Sequence, residues 1–272
     1  MGYIDFILNL AGLLLWLNWR SIRFDPLNKR TPATLVGTLR PAAPKKFRRW
    51  HLLAAIGALL VLRALFYWQI GSAASWTGKL DLGVIVLSFR SDLFPRILLF
   101  SFLSFGLALG IFYLWLLLLS LLKGPEPIHH LVRIPLGRVD GWPFWLKLIL
   151  PFVVTTTAWW TLSRLQIFPQ PLSETHRVEE ALIIGLNSYL LWKFPVAALL
   201  AAHLLNTYIY FGKHPLWNYV KAASQTLLAP LEKIPLQIGR VDFAPVAGIA
   251  LAFLTVELAG RGLVFLYAHV PR

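Results

Sequence analysis

Long apolar runs alternate along the chain with polar, proline-bearing stretches. Six runs approach or exceed the roughly 20 residues that a helix needs to cross a bilayer core of about 30 Å. They are Tyr3–Trp19, His51–Ile70, Ile97–Leu122, Phe144–Ser163, Ala181–Tyr210 and Phe243–Ala268. All are read as helices, because lipid admits only spans that satisfy their own backbone. The first is short and carries Asp5, Asn9 and Asn18, so it either crosses or lies in the interface. It does not read as a cleaved signal peptide: Asp5 stands where a basic stretch is expected, and no small-x-small site follows. The fifth run would be about 45 Å long as a helix, too long for one straight crossing. Lys193 and Pro195 are expected to divide it into an outer piece and a membrane piece.

Composition agrees with the pattern. Of 272 residues, 57% are apolar and only 14% charged, where a soluble domain has about 25% charged. There is no cysteine, which excludes disulfides, thiolate metal sites and cysteine nucleophiles. The net charge of +14 would suggest nucleic acid in a soluble protein. In a membrane protein it is first a topology signal. Nine Lys and Arg residues fall in 20–49, four in 123–147 and four in 212–242. With six crossings these stretches share one side, giving 17 basic residues there against 6 on the other. That side is the cytoplasmic one, where anionic lipid also attracts the charge. Both chain ends then lie outside; if the first run does not cross, the beginning of the chain moves inside. No nucleic-acid partner is expected, since the 20–49 loop has no aromatic stacking pattern beyond Trp50.

Two of the cytoplasmic stretches resemble each other. Ile134-Pro135-Leu136-Gly137-Arg138-Val139-Asp140-Gly141-Trp142-Pro143 matches Ile234-Pro235-Leu236-Gln237-Ile238-Gly239-Arg240-Val241-Asp242-Phe243-Ala244-Pro245. Each has Ile-Pro-Leu and then Gly-Arg-Val-Asp-x-x-Pro, opening an apolar helix. Both copies would enter the membrane from the same side, as a parallel repeat of helical hairpins. Gly137 and Gly239 suit a turn closed to other residues. Asp140 and Asp242 stand where an N-cap is expected, and Pro143 and Pro245 fall in the first turn. Arg138 and Arg240 are placed to reach lipid phosphates. Between Pro215 and Pro235, the spacing of Leu216, Trp217, Tyr219, Val220, Ala223, Leu227, Leu228 and Leu231 predicts a helix lying on the membrane with its apolar face down, ended or bent at Pro230.

These residues resemble the YggT family of bacterial and plastid membrane proteins. The second copy carries the likeness best: His214-Pro215-Leu216, the run Gln225-Thr226-Leu227-Leu228-Ala229-Pro230-Leu231-Glu232-Lys233-Ile234-Pro235, and Gly239 to Pro245. The first copy is degenerate, keeping Gly137, Asp140 and Pro143. Arg138 and Arg240 replace a family glycine. The likeness covers about 97–268, as a first unit at 97–165 and a second at 181–268. Residues 1–96 form an added two-span piece with a basic loop. The resemblance implies a membrane protein without established enzymology, associated with ion homeostasis or with the organisation and assembly of membrane components.

Charges inside spans are the default functional candidates. Arg63 is expected to snorkel or pair with a neighbouring helix, and Lys193 to snorkel. Glu257 and Arg261 are one turn apart and are expected to pair. Gly106 and Gly110, four apart in the third run, suit close helix packing within the chain and leave room for a homo-oligomer. His129 and His130 diverge on a helix and have only Glu126 near them, so no metal is expected, nor any cofactor. No nucleophile elbow or metalloprotease motif is present. The expected molecule is thus an all-α, polytopic helical membrane protein of six spans, or five. It would sit in the bacterial inner membrane, without catalysis, with anionic lipid and other membrane proteins as partners; a small-ion channel or carrier is the alternative.

Overall fold

A computed structural model describes residues 2–21, 49–74, 77–122, 135–164, 174–209, 215–231, 236–238 and 241–269. The greater part of the basic loop, His129, His130, Gly239 and Arg240 lie outside the described residues. The chain is mostly helical. In order come α1 (Gly2–Ser21), α2 (Arg49–Ala74), β1 (Thr77–Asp81), β2 (Val86–Arg90), α3 (Phe94–Leu121), α4 (Phe144–Arg164), α5 (Glu174–Asn187), α6 (Lys193–Tyr208), α7 (Pro215–Leu228), β3 (Gln237–Ile238), β4 (Val241–Asp242) and α8 (Ala244–Ala268).

Five helices among the described residues are long and apolar enough to cross a membrane: Trp50–Gly71, Phe94–Leu121, Phe144–Arg164, Glu174–Tyr208 and Ala244–Ala268. The helix α1 is not among them. Asp5, Asn9, Asn18 and Arg20 dilute its apolar content. The fifth segment is 35 residues long and is interrupted by a 3-10 turn, Ser188–Trp192, immediately before Lys193. Pro195 follows inside α6, where it has no N–H to give the preceding turn, so a tightened segment ahead of it has a local cause.

The expectation of a purely helical chain needs correction. Thr77–Asp81 and Val86–Arg90 each alternate exposed and buried positions and pair as a two-stranded sheet. Period-2 alternation of this kind buries one face of a strand and wets the other. The second sheet, β3 with β4, is antiparallel, with Gln237 opposite Asp242 and Ile238 opposite Val241.

The chain divides into two compact units, residues 1–80 with 88–110, and residues 81–87 with 111–272. The division runs through α3. In the first unit, Ile56, Leu60 and Phe105 form a buried cluster with Leu15 and Trp16 against it. In the second, α4 packs on α5, and α8 on α6. Gly185 makes the first contact possible: a Cβ there would overlap the Thr156 hydroxyl and press on Phe152. Leu117 and Leu136 form another small core, with Tyr113, Val139 and Leu150 around it.

The helix α7 does not lay its apolar face on lipid as expected. Tyr219, Val220 and Ala223 are buried against Leu122 and Leu199. The Tyr219 hydroxyl donates to the Leu119 carbonyl at 2.9 Å, and the Ser224 hydroxyl to that of Leu199 at 3.2 Å. The amphipathic pattern is real, but its cover is protein. The helix ends at Leu228, and Ala229–Leu231, with Pro230 at its centre, form a turn.

Candidate functional site

Two clusters of charge are buried, one in each unit. The first is built on α1, α2 and α3. Asp5 and Asn9 are four apart on α1 and so share a face. Arg63 projects from α2 with only 2% of its surface exposed. Its guanidinium donates to Asn9 at 2.8 Å and to the Ser104 hydroxyl at 2.9 Å, and it forms a close ion pair with Asp5. The Tyr67 hydroxyl, one turn further along α2, donates to the same Asp5 oxygen at 2.7 Å. The Asn9 amide donates to Ser104 at 3.2 Å. The rings of Tyr67 and Phe100 flank the guanidinium at 5.7 and 5.5 Å. Arg63 therefore pairs across helices instead of snorkelling. Its Nε is buried without a hydrogen-bond partner among the described residues. A buried cation is stable only when paired and hydrogen-bonded, and α1 supplies both partners.

The second cluster joins the end of α3 to the first turn of α4. The Ser120 hydroxyl donates to Asp140 at 2.6 Å, and Lys147 donates to Ser120 at 2.7 Å. The Lys147 ammonium lies 3.5 Å from the Asp140 carboxylate, with both side chains buried. Asp140 is therefore not the N-cap of the following span. It sits in a 3-10 turn, Gly137–Gly141, that carries its carboxylate inward. Gly137 has φ of 60°, so it does supply a left-handed turn. Pro143, not Asp140, is the residue that flanks the start of α4 at Phe144: its carbonyl accepts the Lys147 N–H at 3.2 Å. Lys147, counted above with the loop charge, is a buried residue. Arg138 is exposed.

In the second copy, Asp242 accepts the Ala244 N–H at 2.9 Å and so does serve the start of its helix. Pro245 lies in the first turn of α8 and is buried. The Lys193 ammonium lies 5.2 and 5.7 Å from the ring centres of Phe194 and Phe253, a cation–π setting. Arg261 Nε donates to Glu257 at 2.9 Å, and both side chains are exposed. Gly106 and Gly110 are exposed, and a Cβ at either would meet nothing within 4 Å among the described residues.

The sequence marks Asp5 and Asn9 only as polar residues of the first run and gives no site role to them or to Tyr67, Ser104, Ser120 and Lys147. A signal existed for two of them, since Asp5 and Asn9 are one turn apart in an otherwise apolar helix. Among the described residues no group of three or more His, Asp or Glu is placed to hold a metal ion. No family model, no curated protein and no solved structure matches this chain.

Proposed function

We propose that this chain is a non-catalytic membrane scaffold of the YggT type, which organises or assembles other components of a bacterial cytoplasmic membrane. One observation carries the reading: the charges buried between helices are spent on fixed partners. Arg63 is held by Asp5, Asn9 and Ser104, and Lys147 by Ser120 and Asp140. Such closed networks lock helices to one another. A carrier needs charges that exchange partners as an ion moves.

In this reading α1 is a sixth span. Its 20 residues reach about 30 Å, and it packs along α2 with Asp5 and Asn9 turned to Arg63. Its polar groups are then hidden from lipid. The basic segments, including Arg138 and Arg240, form the cytoplasmic face toward anionic lipid and partner proteins. The two Gly-Arg-Val-Asp stretches, each ahead of an apolar helix, support the family likeness.

A small-ion carrier is the second reading. It draws on the first cluster, where Arg63 Nε lacks a partner and the Asp5 side chain is 21% exposed. The experiment is twofold. Crosslinking in native membranes is expected to recover a specific set of membrane proteins, lost in Arg138→Glu/Arg240→Glu. Purified protein in liposomes is expected to move neither potassium nor protons. Flux above that of empty liposomes, abolished by Asp5→Asn, would replace the scaffold with the carrier.

A further inference from the structure

The helix α4 is continuous from Phe144 to Arg164, yet Pro151 interrupts its hydrogen-bond ladder a third of the way along. A proline gives no N–H, so the Lys147 carbonyl, four residues back, loses its usual partner and meets the ring instead. The next carbonyl, that of Leu148, accepts the Tyr189 hydroxyl at 2.6 Å. Its ordinary partner in a helix, the Phe152 N–H, faces the same phenol oxygen. On the other side of Pro151, the Thr155 hydroxyl donates to the Pro151 carbonyl at 2.6 Å and lies 3.2 Å from that of Phe152. Back-bonding of this kind loosens and bends helices. Helices kink where a proline stands or where a side chain enters the ladder, and here the two coincide.

The two parts of α4 are fastened to different partners. Before Pro151, Lys147 holds Ser120 and Asp140, and Leu150 packs on Leu117 and Leu136. After it, Phe152 and Thr156 close on Gly185 of α5, and the Thr155 hydroxyl lies 3.5 Å from the Gly185 carbonyl. Tyr189 comes from the 3-10 turn that follows α5, and that turn is itself fixed. The Ser188 hydroxyl donates to the Gly185 carbonyl at 2.7 Å, and the Asn187 amide donates to the Leu82 carbonyl. The Tyr189 ring meets Trp192 edge-on at 5.0 Å. All these groups belong to the second compact unit.

We propose that Pro151 is a hinge in α4 and that the Tyr189 hydroxyl is its latch. A phenol held by a fixed turn keeps the part of α4 before the proline in line with the part after it. With the latch open, that first part pivots. Lys147 moves with it and, through Asp140, so does the Gly137–Gly141 turn that carries the exposed Arg138. A tyrosine that only fills space would add stability and leave the angle of α4 alone. The hinge rests on α4 and the turn after α5, and it stands whether the chain is a scaffold or a carrier.

The absence of cysteine lets paired spin labels be placed freely. Three exposed positions serve: Trp145 before the hinge, Thr161 after it and Leu182 on α5. Trp145→Cys/Leu182→Cys and Thr161→Cys/Leu182→Cys, labelled in the full-length protein in liposomes, are each expected to show one narrow distance distribution. Tyr189→Phe keeps the ring and removes the hydroxyl. Added to both, it is expected to give the first pair a second distance and to leave the second pair unchanged. Adding Pro151→Ala as well restores the ladder and is expected to return the first pair to one distance. An unchanged first pair in Tyr189→Phe overturns the latch. So does a second distance in both pairs, since α4 has then come away from α5 as a whole. A first pair that keeps two distances after Pro151→Ala overturns the hinge. The second pair, when unchanged, also reports that each variant is folded.

Discussion

Gly-Arg-Val-Asp occurs twice in this chain, and the Val-Asp pair that is described in both copies lies in different local structure. Gly137 to Asp140 wind into a 3-10 turn, with Gly137 left-handed and Asp140 buried. Around Gly239 and Arg240 the flanking pairs Gln237–Ile238 and Val241–Asp242 form a short antiparallel ladder, which the Phe243 N–H extends by donating to Leu236 at 3.2 Å. The aspartates part company accordingly. Asp140 turns inward to Ser120 and Lys147, whereas Asp242 stays at the entrance of α8 on the Ala244 N–H. The shared Val-Asp pair does not determine its own conformation. Its surroundings do: a lysine stands seven residues after Asp140, where Ile249 stands after Asp242, and the second copy has two extra residues ahead of its glycine, enough to pair as a strand.

The sharpest way to break this comparison is to remove each carboxylate in turn. Asp140→Ala strands a buried ammonium and is expected to destabilise the protein by about 3–5 kcal/mol, read from unfolding in mixed detergent micelles. Asp242→Ala removes only a helix-end acceptor, an effect of about 1 kcal/mol. The double variant Asp140→Asn/Lys147→Met should recover most of the first loss, since it removes the stranded charge. Equal losses from the two alanine variants would mean that the copies are equivalent after all.

What the sequence discloses follows from which physics acts locally. Lipid imposes run length on spans, so Phe144 as the start of α4 and the interruption ahead of Pro195 are legible from the residues themselves. The charge networks depend on helices distant in sequence. Asp5 and Arg63 are separated by 58 residues, and nothing local says that α1 and α2 align them. Lys147 looks like any basic residue at a membrane edge, and only Ser120 on α3 makes it a buried one. The amphipathic pattern of α7 states that one face must be covered, without saying whether by lipid or by Leu122 and Leu199. The alternation in 77–90 was a signal open to reading, visible as Gly78 and Leu80 against Thr77, Lys79 and Asp81.

A smaller effect sharpens the contrast at the turn itself. Gly137→Ala must adopt φ near 60°, where an L side chain costs roughly 1–2 kcal/mol. The same unfolding assay measures it. Because this turn aims Asp140 inward, the loss should be non-additive with Asp140→Ala, the two sharing one network. Additive losses would indicate that the left-handed turn serves something other than the carboxylate.

The second copy holds its place by another device, and this gives the smallest and most specific expectation. What Lys147 supplies to the first copy, α7 supplies to the second, by docking on the end of α3 through Tyr219 and its bond to Leu119. Losing that hydroxyl in Tyr219→Phe should cost about 1 kcal/mol at neutral pH. Burial pushes the Tyr219 phenol up to about 12 from its ordinary 10, because the phenolate would be desolvated there. The folded state therefore keeps its proton where the unfolded chain has begun to lose it. Stability from this group is complete below pH 10 and falls as pH rises toward 12. Between those limits the parent protein should lose stability more steeply than Tyr219→Phe, so that the two curves converge and then cross. Parallel curves would show that the phenol is in contact with water and that α7 is not docked on α3.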